Sequence, residues 1–245
     1  MSLRTEPLYV LYGSQMGNSE QAAKDFCEEV KKKYTADYFE QEQLPTIQVE
    51  TKCMQLDDFL EIYHANYTKC LVIFVSSYGV GQAPLGAYRF RELCEEWKDN
   101  SDDEKILSGL KYALCGLGDS GYTTYLKNPT TIDAGLTAVG ATRLGEMGKA
   151  DAKGMGEKAQ DKVISRWVSD LWKPLGKSLA DESDIDVKEM QKKTIPVLMK
   201  LDPDYTPPKE LQTKKDGMCA LLGLATALLG VGLALIASAA LEKEV

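Results

Sequence analysis

The chain of 245 residues is 44% hydrophobic and 27% charged, and its formal net charge is -8. This length fits one α/β domain with additions or at most two small domains, and the composition excludes collagen-like, disulfide-scaffold and wholly disordered chains. The acidic balance disfavours non-specific nucleic-acid binding, which needs Lys and Arg for the phosphates, and it favours a basic protein partner or simple solubility.

Strand-like and helix-like segments alternate along residues 1–180. Strands are predicted at 8–12, 46–51, 70–76, 112–117 and 141–144, and helices at 19–34, 56–67, 85–98, 130–139 and 158–179. The segment 70–76 is the most continuous apolar run, as expected of a central strand covered on both faces. The alternation predicts a doubly wound parallel sheet, in which ligands bind at the carboxyl ends of the strands. The loops after the first, third and fourth strands are therefore the candidate site.

The first candidate loop enters a helix directly from the first strand. It carries Ser14, Gln15, Met16, Gly17, Asn18 and Ser19. Free backbone N–H groups and the positive end of the helix dipole form an anion site at such a position. The loop has no Lys and no GxxxxGK[ST] motif, which disfavours a nucleoside triphosphate with Mg²⁺ and suits a single terminal phosphate. The alternative is an ordinary turn in which Ser19 is the N-cap.

The second and third candidate loops each place glycines beside one tyrosine just past a strand. They carry Ser77, Tyr78, Gly79 and Gly81 in the second loop, and Leu117, Gly118, Asp119 and Tyr122 in the third. Two tyrosines that flank one crevice can sandwich a flat aromatic ring, although each taken alone is equally consistent with an ordinary loop aromatic. The third loop also matches GxGxxG, but a dinucleotide fingerprint belongs to the first strand-turn-helix unit, so we reject NAD binding there.

Four segments resemble, in order and spacing, the flavodoxin-like FMN domain of diflavin reductases: LYGSQMGNSEQAAKDF, FVSSYGVGQAP, LCGLGDSGY and LGEMGKADAKG. This is the family of cytochrome P450 reductase, sulfite reductase and methionine synthase reductase. The resemblance covers about residues 7–175 and implies a five-stranded flavodoxin-like fold that binds FMN. It implies that the first loop holds the phosphate, with Met16 standing where the family usually has Thr.

The resemblance also assigns roles around the isoalloxazine ring. It implies that Tyr78 and Tyr122 cover the two faces of the ring. Backbone near the flavin edge is implied to come from Gly79 and Gly81, with Gly118 and Asp119 on the other side and Asp151 near the flavin after the fifth strand. The family's acidic pattern in the second loop is replaced by Val80, Gln82 and Ala83.

The C-terminal part differs sharply from the rest of the chain. Residues 181–216 are polar and contain four prolines, which predicts a linker, whereas residues 217–241 contain no charged residue. As a helix, 218–241 spans about 36 Å against a hydrocarbon core of about 30 Å, which predicts a transmembrane tail anchor followed by the short tail 242–245. The alternative is a buried core helix, which would usually carry a polar stripe.

The residues that flank the predicted anchor indicate its orientation and its membrane. Lys209, Lys214 and Lys215 precede it, which places the N-terminal part in the cytosol. The flank 242–245 is not basic, which favours the endoplasmic reticulum over the mitochondrial outer membrane. Small residues recur at every fourth position from Thr226 to Ser238, which fits a membrane dimer or merely dilutes the hydrophobicity.

The six cysteines include no Cys-x-x-Cys pair, so zinc, thioredoxin-like and iron–sulfur spacings are absent and no metal site is predicted. The sequence therefore predicts a membrane-anchored, flavodoxin-like electron carrier. It would pass single electrons from a separate NAD(P)H-dependent flavoprotein reductase to a membrane-associated acceptor, because the sequence contains no FAD and NADPH module. Two alternatives are a self-contained NAD(P)H quinone reductase and an interaction module without FMN.

Overall fold

The structure is a computed structural model. It describes residues 3–62, 68–99 and 105–182, together with Lys192, Pro196, Met199 and Lys200. The segment 217–241, the tail 242–245 and most of the linker 181–216 lie outside the described residues, so the anchor and the linker stay predictions. Within the described ranges, no helix has both the length and the apolar character needed to cross a membrane.

The described residues form a parallel sheet with helices between its strands. The strands are β1 (Arg4–Gly13), β2 (Ile47–Gln55), β3 (Cys70–Ser76), β4 (Lys111–Gly118), β5 (Thr142–Arg143) and β6 (Gly148–Asp151). The helices are α1 (Asn18–Lys33), α2 (Ala36–Gln41), α3 (Leu56–Ile62), α4 (Tyr88–Asp99), α5 (Lys127–Ala138) and α6 (Gln160–Ala180). The strand order is β2-β1-β3-β4-β5, and every pairing is parallel. The predicted doubly wound sheet is confirmed.

The fifth strand position is divided between two short strands. β5 pairs with the beginning of β4 at Lys111 and Tyr112, whereas β6 pairs with its end from Cys115 to Gly118. The sequence predicted one strand starting within 141–144. The observed strand is interrupted by residues 144–147 before it resumes at Gly148.

Alternation along the strands explains why both faces of the sheet are covered. In β1, Leu8 and Val10 join one buried cluster, whereas Tyr9 and Leu11 join the other. Side chains of successive strand residues point to opposite faces, so each face needs its own layer of helices. The first layer contains α1 and α6, where the rings of Phe26 and Trp172 stack with centroids 5.2 Å apart. The second layer contains α3, α4 and α5.

Several element ends differ from the prediction. β1 begins at Arg4 and β2 continues to Gln55, because the two strands pair in register along their whole shared length. The short helix α2 was not predicted; Thr35 caps it by accepting a hydrogen bond from the Tyr38 N–H. α5 begins at Lys127 rather than at 130.

Candidate cofactor site

The first loop leaves the N-terminus of α1 open. Gly17 is the N-cap, with φ of 88°, and no side chain caps the helix. The first intrahelical hydrogen bond runs from the Gln21 N–H to the Gly17 carbonyl at 2.9 Å. The amides of residues 18–20 precede this bond and have no acceptor within the helix. Uncapped amides together with the helix dipole favour an anion. Because Ser19 lies inside the helix, the alternative in which Ser19 is the N-cap is wrong.

Ser19 is fully buried, yet its hydroxyl has no hydrogen-bond partner within the described part of the chain. A buried polar group left unsatisfied costs about 1–3 kcal/mol, so such groups are rare in native folds and call for a physical reason. A ligand that accepts a hydrogen bond in the first turn of α1 would supply the missing partner. This orphaned hydroxyl fits a bound phosphate.

The other residues of the first loop have diverse surroundings. Ser14 and Gln15 are half-buried, whereas Met16 is 84% exposed. The Asn18 amide donates to the Gln160 side chain of α6 at 3.4 Å, so it is already engaged across the helix layer. The loop therefore offers backbone amides and hydroxyls but no charged side chain.

A cleft of about 550 Å³ lies between the second and third loops. It is lined by Ser77, Tyr78, Gly79, Val80, Gln82, Asp119, Tyr122, Thr124 and Tyr125. Tyr78 and Tyr122 are 46% and 63% exposed, so two aromatic side chains stand at the wall of one open cleft. A flat, largely apolar ligand fits such a lining better than a strongly hydrated one.

A tight turn shapes the wall formed by the second loop. The Tyr78 N–H donates to the Gln82 carbonyl at 3.0 Å, and the Gln82 N–H donates back to the Tyr78 carbonyl at 2.8 Å. Gly79 and Gly81 lie within the turn at φ of 52° and 88°, a region that residues with a Cβ rarely adopt. The Thr124 hydroxyl donates to the Gly79 carbonyl at 3.3 Å and joins this turn to the third loop.

Three predicted residues hold the loops in place rather than line the cleft. A Cβ on Gly81 would lie 2.6 Å from the Lys127 side chain, and one on Gly118 would lie 2.9 Å from the Tyr125 ring. The Leu117 carbonyl accepts from the Ser77 N–H at 3.1 Å. These positions allow the two loops to approach closely.

Asp151 ends β6 and is not among the residues that line the cleft. Its carboxylate accepts hydrogen bonds from the Ser120 and Lys153 N–H groups, each at 3.0 Å. Hydrogen bonds from Ser120, and then the one from Lys153, hold the pKa of this carboxyl below its usual value. In the described structure Asp151 therefore anchors the third loop, and its place near the flavin stays a prediction.

Asn128 is a buried residue of the site that the sequence reasoning missed. Its amide nitrogen donates to the Ser76 carbonyl at 2.8 Å, and its backbone N–H donates to the Ser77 hydroxyl at 3.0 Å. It therefore ties α5 to the end of β3, directly before Tyr78. Residue 128 precedes the helix predicted at 130–139, so no helical pattern marked it as buried. No sequence motif marked Thr124 and Tyr125, which also line the cleft.

The chain matches known proteins over the described domain. The family profile described as Flavodoxin matches residues 10–167. The chain is 30% identical to methionine synthase reductase of Caenorhabditis elegans over 74% of this chain and 23% of that protein. It is also 30% identical to NADPH–cytochrome P450 reductase of Saccharomyces cerevisiae over 74% of this chain and 22% of that protein. A solved short-chain flavodoxin associated with a bacterial microcompartment covers 69% of this chain, at 19% identity and a TM-score of 0.49.

This chain belongs to the flavodoxin family, because the family profile covers more than half of it. It contains a flavodoxin-like electron-transfer domain related to the FMN domains of diflavin reductases, and FMN is the cofactor that this membership implies. The chain spans less than a quarter of the length of the two reductases compared above. The orphaned Ser19 hydroxyl and the cleft between Tyr78 and Tyr122 fit the two ends of that cofactor.

Proposed function

We propose that this protein carries single electrons, by means of FMN bound between Tyr78 and Tyr122, from an NAD(P)H-dependent flavoprotein reductase to a membrane-associated acceptor. The observation that carries the proposal is the pairing, at one edge of the sheet, of a two-tyrosine cleft with an orphaned buried hydroxyl. Both features follow the carboxyl ends of neighbouring strands, since β1 and β3 pair in register at Gly13 and Val75. The Ser76 hydroxyl also donates to the Gly13 carbonyl at 3.5 Å.

The residues would divide the work of holding the cofactor. Backbone amides of residues 18–20 and the hydroxyls of Ser14 and Ser19 would hold the terminal phosphate, with Gln15 beside them. Tyr78 and Tyr122 would cover the ring faces and keep water from them. FMN itself supplies the redox chemistry, so the chain needs no general acid, general base or nucleophile of its own.

The cofactor test uses the full chain purified in detergent. We expect a yellow protein with flavin absorbance, and we expect mass analysis of the released cofactor to give FMN. FAD in its place would contradict a cradle built for one terminal phosphate. A colourless chain that takes up no FMN on titration would favour the interaction-module alternative.

The donor test separates the carrier from the quinone reductase alternative. A carrier is reduced at an appreciable rate only when a flavoprotein reductase and NAD(P)H are both present. Steady-state NAD(P)H oxidation by the chain alone, with a quinone as acceptor, would favour the self-contained enzyme instead.

The membrane part of the proposal rests on sequence. Residues 217–241 would cross the membrane as one helix, with Lys209, Lys214 and Lys215 on the cytosolic side. The non-basic flank 242–245 favours the endoplasmic reticulum. A fluorescent protein fused to residues 200–245 tests both points: a diffuse signal would contradict the anchor, and a mitochondrial signal would contradict only the address. The predicted membrane dimer has its own test, which is chemical cross-linking of the Gly230→Leu variant. Cross-linking equal to that of the unaltered chain would contradict the dimer.

A further inference from the structure

Two free cysteines meet between α1 and β2, outside the cofactor site. Cys27 lies in α1 and is 7% exposed, whereas Cys53 lies in the exposed edge strand β2. Cys53 pairs in register with Val10, which belongs to the same buried layer as Cys27. Register partners point to the same face of a sheet, so the Cys53 side chain lies on the face that α1 covers, next to Cys27.

The surroundings lower the pKa of the Cys53 thiol and raise the pKa of the Cys27 thiol. The hydrogen bond from Cys27 lowers the pKa of Cys53 most, and the Lys24 charge adds to it, while burial and Glu20 oppose the shift. The same hydrogen bond and burial raise the pKa of Cys27, and a side-chain hydrogen bond with Thr51 and the Lys31 charge oppose the rise. An exposed thiol of lowered pKa beside a buried thiol of raised pKa is the arrangement of an attacking and a resolving cysteine.

The other described cysteines lack these features. Cys70, Cys94 and Cys115 are buried, and burial raises the pKa of each thiol, to about 12 for Cys70 and Cys115. Thiolate is the form that reacts with oxidants and alkylating reagents, so these three cysteines should be inert in the folded protein.

We propose that Cys27 and Cys53 are a redox-active dithiol that hydroperoxides oxidise to a disulfide joining α1 to the edge strand β2. In the first step the Cys53 thiolate attacks a peroxide oxygen, the O–O bond breaks, and hydroxide leaves (an alkoxide when the peroxide is organic). Cys53 is then a sulfenic acid. In the second step the Cys27 sulfur attacks the Cys53 sulfur, the S–O bond breaks, and the departing oxygen leaves as water with the Cys27 proton. With hydrogen peroxide, two thiols and one peroxide thus give one disulfide and two waters.

Two structural consequences follow from the position of the pair. The link closes a loop that contains the rest of α1, α2 and the first part of β2. It also fastens the helix whose N-terminus carries Gly17 and Ser19 to the edge of the sheet. The disulfide should therefore raise the midpoint of thermal unfolding, since it constrains the unfolded chain.

The test treats the reduced full chain with hydrogen peroxide and maps its peptides without reduction. We expect one dominant product, a peptide pair joined through Cys27 and Cys53 that has lost two hydrogen atoms and is released by dithiothreitol. Cys27→Ser should leave Cys53 as a sulfenic acid that dimedone traps, and Cys53→Ser should abolish the link. The control variants Cys94→Ala and Cys115→Ala should form it unchanged.

A second measurement on the unaltered chain does not depend on the variants folding. Iodoacetamide should alkylate Cys53 at least about tenfold faster than Cys94 or Cys115, because Cys53 is exposed and its pKa is lowered, whereas the other two thiols are buried and their pKa is raised. Equal alkylation rates would overturn the proposal. A link from Cys53 to Cys219 or to a second chain would also overturn it, as would oxidation of Cys53 beyond the sulfenic acid equally fast in the unaltered chain and in Cys27→Ser.

Discussion

The hydroxyl of Ser19 offers a test in which stability and cofactor binding should move in different directions. Ser19→Ala removes a buried polar group that has no partner in the described structure, so the free energy of unfolding of the FMN-free form should stay equal or rise. FMN affinity should fall by about 1.5–3 kcal/mol, since the lost hydrogen bond would go to a charged phosphate. Chemical unfolding and FMN fluorescence titration measure the two effects.

The control is Ser169→Ala, because this exposed serine only returns a hydrogen bond to the Ser165 carbonyl of its own helix. It should leave FMN affinity unchanged. A loss of stability of FMN-free Ser19→Ala with unchanged FMN affinity would mean that the hydroxyl serves the fold and not the cofactor.

The tyrosines of the cleft can be tested against a tyrosine of equal exposure. Tyr78→Ala and Tyr122→Ala should each weaken FMN binding by about 1 kcal/mol, because each removes one aromatic stacking contact. Tyr88 is the matched control: it is 46% exposed, as Tyr78 is, but it does not line the cleft. Titrations that show the same loss for Tyr88→Ala would count against the cleft as the flavin site.

At the scale of elements, a carboxylate of one helix caps the next. Asp57 of α3 accepts hydrogen bonds from the Tyr88 N–H at 3.0 Å and from the Phe90 N–H at 2.9 Å, at the start of α4. Asp57→Ala should lower the free energy of unfolding by about 1 kcal/mol in urea denaturation, the usual value of a lost N-cap. The neighbouring exposed Asp58→Ala should change it by less than about 0.5 kcal/mol.

The same carboxyl makes stability depend on pH. Burial raises the pKa of Asp57 above its ordinary value, and the amide hydrogen bonds from Phe90 and Tyr88 oppose that rise only in part. A raised folded-state pKa stabilises the fold most below the unfolded-state pKa of about 3.9, and this contribution is lost as the pH rises through the folded-state pKa. Asp57→Asn keeps an acceptor without the charge. The free energy of unfolding of Asp57→Asn, relative to that of the unaltered protein, should therefore increase as the pH rises from about 3.5 to 6. A difference in unfolding free energy that stays constant over this pH range in urea denaturation would contradict the prediction.

A buried ion pair joins the start of β3 to β1. Lys69 Nζ lies 3.5 Å from the Glu6 carboxylate, with both side chains 5% exposed. Lys69→Met should lower the free energy of unfolding by about 3 kcal/mol, the low end for breaking a buried ion pair. The loss should be at the low end because Arg4, 3.9 Å from Glu6, still offers the carboxylate a positive charge. The control Lys24→Met breaks an exposed pair with Glu20 and should leave the free energy of unfolding nearly unchanged. Equal losses for the two variants in denaturant unfolding would contradict the role of burial.

The accuracy of the element predictions follows burial. The strand predicted at 70–76 is observed as Cys70–Ser76, because this central strand is apolar throughout and buried almost to its end. β2 was predicted only at 46–51, since its last residues are polar or partly exposed on an edge strand. Its backbone nevertheless pairs with β1 as far as Gln55. Hydrophobic patterns report burial, whereas strand pairing does not require it.

At the scale of the whole molecule, the site was predictable where it depends on topology. The carboxyl ends of parallel strands meet at one edge of a sheet, so the sequence pattern alone is enough to place Tyr78 and Tyr122 together. Asn128 was not predictable, because its role depends on packing between α5 and the end of β3, more than fifty residues away in sequence. The orphaned state of Ser19 was also invisible, since it is a property of the folded surroundings and not of the residue type.

The interruption between β5 and β6 has a consequence for self-association. A long open edge of a sheet displays unpaired N–H and C=O groups and is a template for strands of other chains. Here that edge offers two residues of β5 and four of β6, separated by residues 144–147. The Trp167 indole N–H donates to the Glu146 carbonyl at 2.9 Å, which fixes the break in place. An incoming strand finds no continuous ladder there, so this side of the sheet is protected against edge-to-edge aggregation.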